Sequence, residues 1–244
     1  MVSPIQANEP TKARRILDAT RELVLEHGIR KVTIADIARQ AGVGKGTLYL
    51  YWSNKEELLL GLFGRELIAE LGRVAKALDA EPDLVRPRRL APLMIRTAID
   101  RPLPRHLHAG DVDTLRLLAH NGATSEVFAR AAPSALAAAV LGVLRRHGLV
   151  RTDRPEADQA LALHALLIGF LDTRTDARAA FAIASDIDPE EVMADAVGLL
   201  LEPARPATEA SVHTAAAEVL STFDQVRANI AEHLASLENA PVDP

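Results

Sequence analysis

Gly42 is the residue that most limits what this chain can fold into. It separates two short segments of helical apolar spacing, Thr33 to about Ala41 and Lys45 to Trp52, within the stretch TIADIARQAGVGKGTLYLYWSNK. Glycine enters the left-handed backbone region without steric cost, so two helices joined by a tight turn are expected. In the first, Ile34, Ile37, Ala38 and Ala41 share one face. Thr33 stands where a cap is needed, and Asp36 three residues on suits the positive helix end. Ala38 is small where the helices would cross, and Val43, Leu48 and Trp52 anchor the second helix inward. Lys45, Gly46, Thr47, Tyr49, Leu50 and Tyr51 are left facing out or at the rim. Such a pair fits a helix-turn-helix, whose second helix enters the major groove of DNA.

Exposed Thr and Tyr hydroxyls beside Lys suit phosphate oxygens better than they suit a face that only needs solubility. Composition alone leaves a second reading open, in which Tyr49, Leu50 and Tyr51 belong to a hydrophobic core. Charge does not decide between them. The chain carries a net charge of −5, but residues 1–60 hold nine Lys/Arg against seven Asp/Glu, a local +2 on a chain whose remainder is −7. Attraction to phosphate depends on the local patch and not on the chain total.

The rest of the 244 residues reads as all-α: apolar residues make up 48%, largely Ala and Leu, and aromatics only 3%. A first helix is expected from about Thr11 to His27, stopped by Gly28, and Asn54-Lys-Glu-Glu57 has the form of a capping box opening a long fourth helix. Prolines then punctuate the pattern, with helices expected near 88–101, 111–121, 124–147, 155–181, 189–202 and 208–238. In the last, Val212, Ala216, Val219, Phe223, Val226, Ile230 and Leu237 form a coiled-coil-like stripe broken at His233. Such a helix lies along the body or packs in a dimer, the first being the simpler reading. There are no cysteines, so disulfides and thiolate chemistry are excluded. The N-terminus lacks the apolar core of a signal peptide, and the longest apolar stretches fall short of a membrane span, which predicts a soluble, cytoplasmic protein without a membrane partner.

The stretch TIADIARQAGVGKGTLYLYWSNKEELL, with its preceding helix, resembles the N-terminal signature of the TetR family of regulators over roughly residues 11–63. The Thr, the small Ala, the turn Gly, the Gly-Thr-Leu-Tyr run and the Lys-Glu-Glu-Leu opening all fall in register. Trp52 stands where family members often carry Phe, a core exchange, and Leu50 where they often carry an aromatic. The resemblance implies a disordered tail over 1–10, a three-helix DNA-binding domain over 11–57 and a helical effector-binding and dimerisation domain over 58–244. By position, Thr33, Thr47, Tyr49, Tyr51 and Lys55 would hold phosphates, while Lys45 and Gly46 would approach base edges. Lys45 can donate to guanine O6 or N7, and Leu50 can touch a thymine methyl.

The same resemblance implies a homodimer on a near-palindromic operator in double-stranded DNA, acting as a repressor released by a small-molecule effector. Dimer candidates are the helices 155–181 and 189–202, with Leu161, Ala165, Ile168, Val197, Leu200 and Leu201, although for any single one the intrachain core is the simpler assignment. The effector cavity is expected among the middle helices and apolar, with His120, Phe128, His164 and Phe170 as the residues to inspect first.

Other classes are weaker. No Gly-rich phosphate loop, nucleophile elbow or metalloprotease helix is visible, so no enzyme and no cofactor are expected. His106-Leu-His108 with Asp111 and Asp113 has metal-ligand chemistry, but an i, i+2 pair diverges on a helix and the flanking prolines indicate a solvated connection. The alternative function is a helical small-molecule-binding or adaptor protein without specific DNA binding, against which Lys45, Thr47, Tyr49 and Lys55 argue.

Overall fold

The computed structural model describes residues 12–100, 133–175 and 187–238. All regular structure among them is helical: α1 Lys12–His27, α2 Ile34–Ala41, α3 Lys45–Tyr49, α4 Lys55–Ala80, α5 Pro87–Ile99, α6 Pro133–Arg146, α7 Glu156–Thr175, α8 Pro189–Leu201 and α9 Glu209–Glu238. A 3₁₀ turn, Pro82–Val85, joins α4 to α5. The expected helix at 111–121, the His106–Asp113 cluster and the tail 1–10 lie outside the described residues.

Two cores organise these elements. The head core gathers Ile16, Leu17, Ile37, Ala38, Leu48 and Trp52 from α1 to α3 with Leu58, Leu59, Leu62 and Phe63 of α4. Each of the Leu, Ile and Phe side chains, fully buried, contributes about 1.5–3 kcal/mol. The body core begins at Leu67 of α4 and gathers α5 to α9. Helix α4 therefore runs unbroken across the expected boundary at 57/58 and is shared by both cores.

Local chemistry explains the ends. Thr33 and Asp36 form a reciprocal capping box on α2. At α4 the Asn54 side chain accepts from the Glu57 amide at 2.8 Å, but the Glu57 carboxylate reaches back to the Ser53 amide at 3.0 Å, one residue beyond the ideal box. Pro92 sits inside α5 and does not end it. The ion pairs Arg88–Glu202, at 2.9 Å, and Arg96–Glu190, at 3.1 Å, tie α5 to α8.

The stripe on α9 faces inward: Val212, Ala216, Val219, Phe223 and Ile230 are buried against the body, chiefly along α4, the 3₁₀ turn and α6. The C-terminal helix thus lies on its own protomer.

Candidate nucleic-acid interface

The turn between α2 and α3 is held from both sides. Gly42 takes φ +64°, the Val43 amide donates to Ala38 O at 2.9 Å, and the Gly42 amide donates to Arg39 O at 3.2 Å. From α1, Arg15 Nη2 donates to Ala41 O at 2.7 Å, satisfying a helix-end carbonyl. A side chain at position 42 would be strained by that φ, and its Cβ would also stand 3.1 Å from Arg15 Nη2.

With the turn fixed, Leu48 (0% exposed) and Trp52 (1% exposed) pin α3 to the head. What they leave outside is a row of unpaired chemistry. Lys45 and Gly46 are exposed, Tyr49 is 42% exposed and Leu50 is 64% exposed. The core alternative therefore fails for Tyr49 and Leu50. Thr47 and Tyr51 are half-buried, and the Tyr51 ring lies 5.7 Å from the Trp52 ring and packs against the head core.

The other two expected contacts also have partners within the fold. The Thr33 hydroxyl donates to Asp36 Oδ2 at 2.6 Å and accepts from the Asp36 amide at 3.2 Å. The hydrogen bond from Thr33, reinforced by Arg39, holds the Asp36 carboxyl below its usual range. Lys55 Nζ donates to Ile29 O at 2.7 Å, and partial burial pulls its ammonium below the usual lysine range. Two of its three N–H groups are left for other acceptors.

Sequence reasoning missed the ties between head and body. Arg65 Nη1 meets Asp18 Oδ1 at 2.7 Å, and Arg21 Nε meets the buried Glu66 Oε1 at 3.5 Å. Partners 47 and 45 residues apart leave no local signal.

In the body, a narrow crevice of about 30 Å³ lies between α5, α6, α7 and α8, and its described lining is apolar, including Leu90, Met94, Leu141, Leu163, Leu167 and Val197. A neighbouring one, also of about 30 Å³, shares Met94 and Leu167 and adds His164. His164 thus lines a crevice between α5 and α7. Phe170 packs half-buried against the core and lines neither crevice, while His120 and Phe128 lie outside the described residues.

The dimer candidates divide. Val197 and Leu201 are buried within the protomer and Leu200 is half-buried against its core, so these three are intrachain residues. Ile168 is half-buried and lines the second crevice, whereas Leu161 (71% exposed) and Ala165 remain on the surface. On α8 the outward apolar residues are Val192 and Leu199, the latter 80% exposed.

A tight turn, a pinned second helix and an outward row of Lys, Tyr and Leu form a helix-turn-helix, an arrangement whose second helix suits the major groove of DNA. Residues 16–62 match the sequence model of the bacterial regulatory proteins, tetR family. The match covers the head and the first turns of α4.

The fatty acid metabolism regulator protein of Bacillus subtilis (strain 168) is 43% identical over 56 residues, which cover 23% of this chain and 29% of that protein. The chain therefore spans less than a third of that curated relative. The transcriptional regulator BetI of Brucella canis is 29% identical over 177 residues, covering 64% of this chain and 88% of its own length. Among solved structures, the transcriptional regulator FadR of Bacillus subtilis in complex with stearoyl-CoA shares the fold with a TM-score of 0.52 at 17% identity, over 77% of this chain and 96% of that one. Among the described residues, no helix is long and apolar enough to cross a membrane.

Proposed function

We propose that this chain is a homodimeric transcriptional repressor that holds a near-palindromic operator and releases it when a small molecule enters the body. The observation that carries the DNA-binding half is the exposure of Lys45, Tyr49 and Leu50 beside a fully buried Leu48. Large side chains held outward by a closed core have no intramolecular use and suit a groove. In this reading Lys45 and Gly46 meet base edges, with Lys45 on guanine and Leu50 on a thymine methyl. Thr33, Thr47, Tyr49, Tyr51 and Lys55 meet phosphates. It acts in the cytoplasm, on DNA, by binding and without a catalytic step.

The apolar lining of the crevices supports an effector with a hydrocarbon part that parts α5 to α8 as it enters, each buried methylene adding about 0.8 kcal/mol. The solved Bacillus subtilis regulator carries stearoyl-CoA, which makes that compound the first probe. Met94 and Leu167 line both crevices, so reorienting these two side chains would join them. Occupied and empty bodies would then differ in head separation, and differential affinity would shift the population away from the operator-binding form.

The test is fluorescence anisotropy with duplexes from the chain's own upstream DNA. Sequence-selective, salt-sensitive binding that stearoyl-CoA weakens is the expected result. Binding that does not distinguish sequences would leave the adaptor function in its place.

A further inference from the structure

The C-terminal helix plays no part in the function proposed above, yet it touches α4 where head and body meet. Gly61 and Gly64 lie one turn apart on α4, at the end of the head core and before the body core begins at Leu67. A Cβ at Gly61 would stand 2.9 Å from Trp52 Nε1, the head's own anchor. A Cβ at Gly64 would stand 2.9 Å from Leu234 Cδ1 and 3.1 Å from Ile230 Cγ2, both on α9. Head and C-terminal helix therefore close onto neighbouring turns of one helix. The following residues, Arg65 and Glu66, carry the ties to Asp18 and Arg21 of α1.

The other half of α9 is fixed to the body. Val212, Ala215, Ala216, Val219 and Phe223 are buried, and Glu218 pairs with Arg146 and, at 2.6 Å, with His147. Those partners end α6, the helix that contributes Val140, Leu141 and Leu144 to the crevice wall. From Glu218 to Ile230 the helix spans about 18 Å at ~1.5 Å per residue. A helix is stiff over that distance, so a shift of α6 moves the tip that sits on Gly64.

We propose that α9 is an intramolecular strut, anchored on α6 through Glu218 and seated on Gly64 through Ile230 and Leu234, that holds the head in its operator-competent orientation. This rests on the repressor reading, and it assigns to α9 the link between the wall of the crevice and the reading head. It needs two anchors and a stiff element between them, and all three are in place.

The test uses the full-length protein and three variants: Leu234→Ala at the seat, Glu218→Ala at the anchor, and Glu232→Ala at an exposed position of the same helix. Hydrogen exchange is read over α1 to α3 and residues 55–66, and affinity is read on a duplex the parent selects from random sequence. The seat and anchor variants should speed exchange there about tenfold and weaken operator binding about tenfold, while Glu232→Ala matches the parent. Should Leu234→Ala fail to fold, the surface variant Glu218→Ala decides alone. Exchange and affinity within twofold of the parent in the folded seat and anchor variants would overturn the strut. A parent that selects no duplex defeats the repressor reading instead, and the exchange data still decide the strut.

Discussion

Lys55 donates through Nζ to the carbonyl of Ile29 at 2.7 Å, so the lysine expected to hold a phosphate also fastens the α1–α2 connection to the start of α4. The bond places a cation at the edge of the head with two N–H groups to spare. Replacing Lys55 by Met should therefore do two things at once. It should weaken binding to selected and unselected duplexes alike and lower the slope of log affinity against log salt by about 1. It should also destabilise the head by about 1 kcal/mol for the lost hydrogen bond. Anisotropy across a salt series and a thermal melt separate the two; an unchanged slope removes Lys55 from the phosphate contacts.

The Thr33–Asp36 box predicts how the head responds to acid. The Asp36 carboxyl is held low by the Thr33 hydroxyl, so its contribution is fully present above the unfolded value of about 3.9 and is lost as pH falls through the lower folded value. Stability should drop below about pH 4 by more in the parent than in Asp36→Asn, which lacks the titrating group. Thr33→Ala should cost about 1 kcal/mol at neutral pH by uncapping α2. Denaturation followed by Trp52 fluorescence reads both, since Trp52 is the chain's sole tryptophan and lies in the head core. Parallel acid profiles for the parent and Asp36→Asn would contradict the assignment.

How much of this was legible in the sequence depends on the range of each interaction. The head was readable because its determinants are local. Gly42, the Thr33–Asp36 spacing and the inward Leu48 and Trp52 all act within about ten residues. The ties to Ile29, Asp18 and Glu66 span 26 to 47 residues and leave no periodic trace. On α8 the residues Val197, Gly198, Leu199, Leu200 and Leu201 are consecutive and apolar, so spacing cannot say which of them faces outward. Packing against α5 decides it, burying Val197 and Leu201 and leaving Leu199 outside. The same limit hid the seat of α9. Its stripe was visible, but nothing in the stripe names Gly64 as the surface it meets.

Leu161 and Leu199 are exposed on α7 and α8, and a second copy of the chain is the occupant proposed for that face. An interface of this kind is self-complementary, so one substitution acts twice in a symmetric dimer. Leu161→Asp and Leu199→Asp should each shift the mass in light scattering from two chains toward one. The melting temperature of the protomer should barely change, because neither side chain packs inside it. Operator affinity should fall steeply, because a single head meets one half-site. A dimer unaffected by both changes would move the interface elsewhere.

Met94 lines both crevices with Leu167 and is half-buried, which places it beside the path of a ligand that spans the two. Met94→Trp should fill part of that space at a packing cost of about 1–3 kcal/mol, visible as a lower melting temperature. Release by stearoyl-CoA should need at least tenfold more ligand, since the indole occupies the volume the acyl chain would take. The smaller Met94→Ala should not raise that requirement, because it enlarges the passage. Unchanged release in Met94→Trp, with the parent responding, would place the effector somewhere other than between α5 and α7.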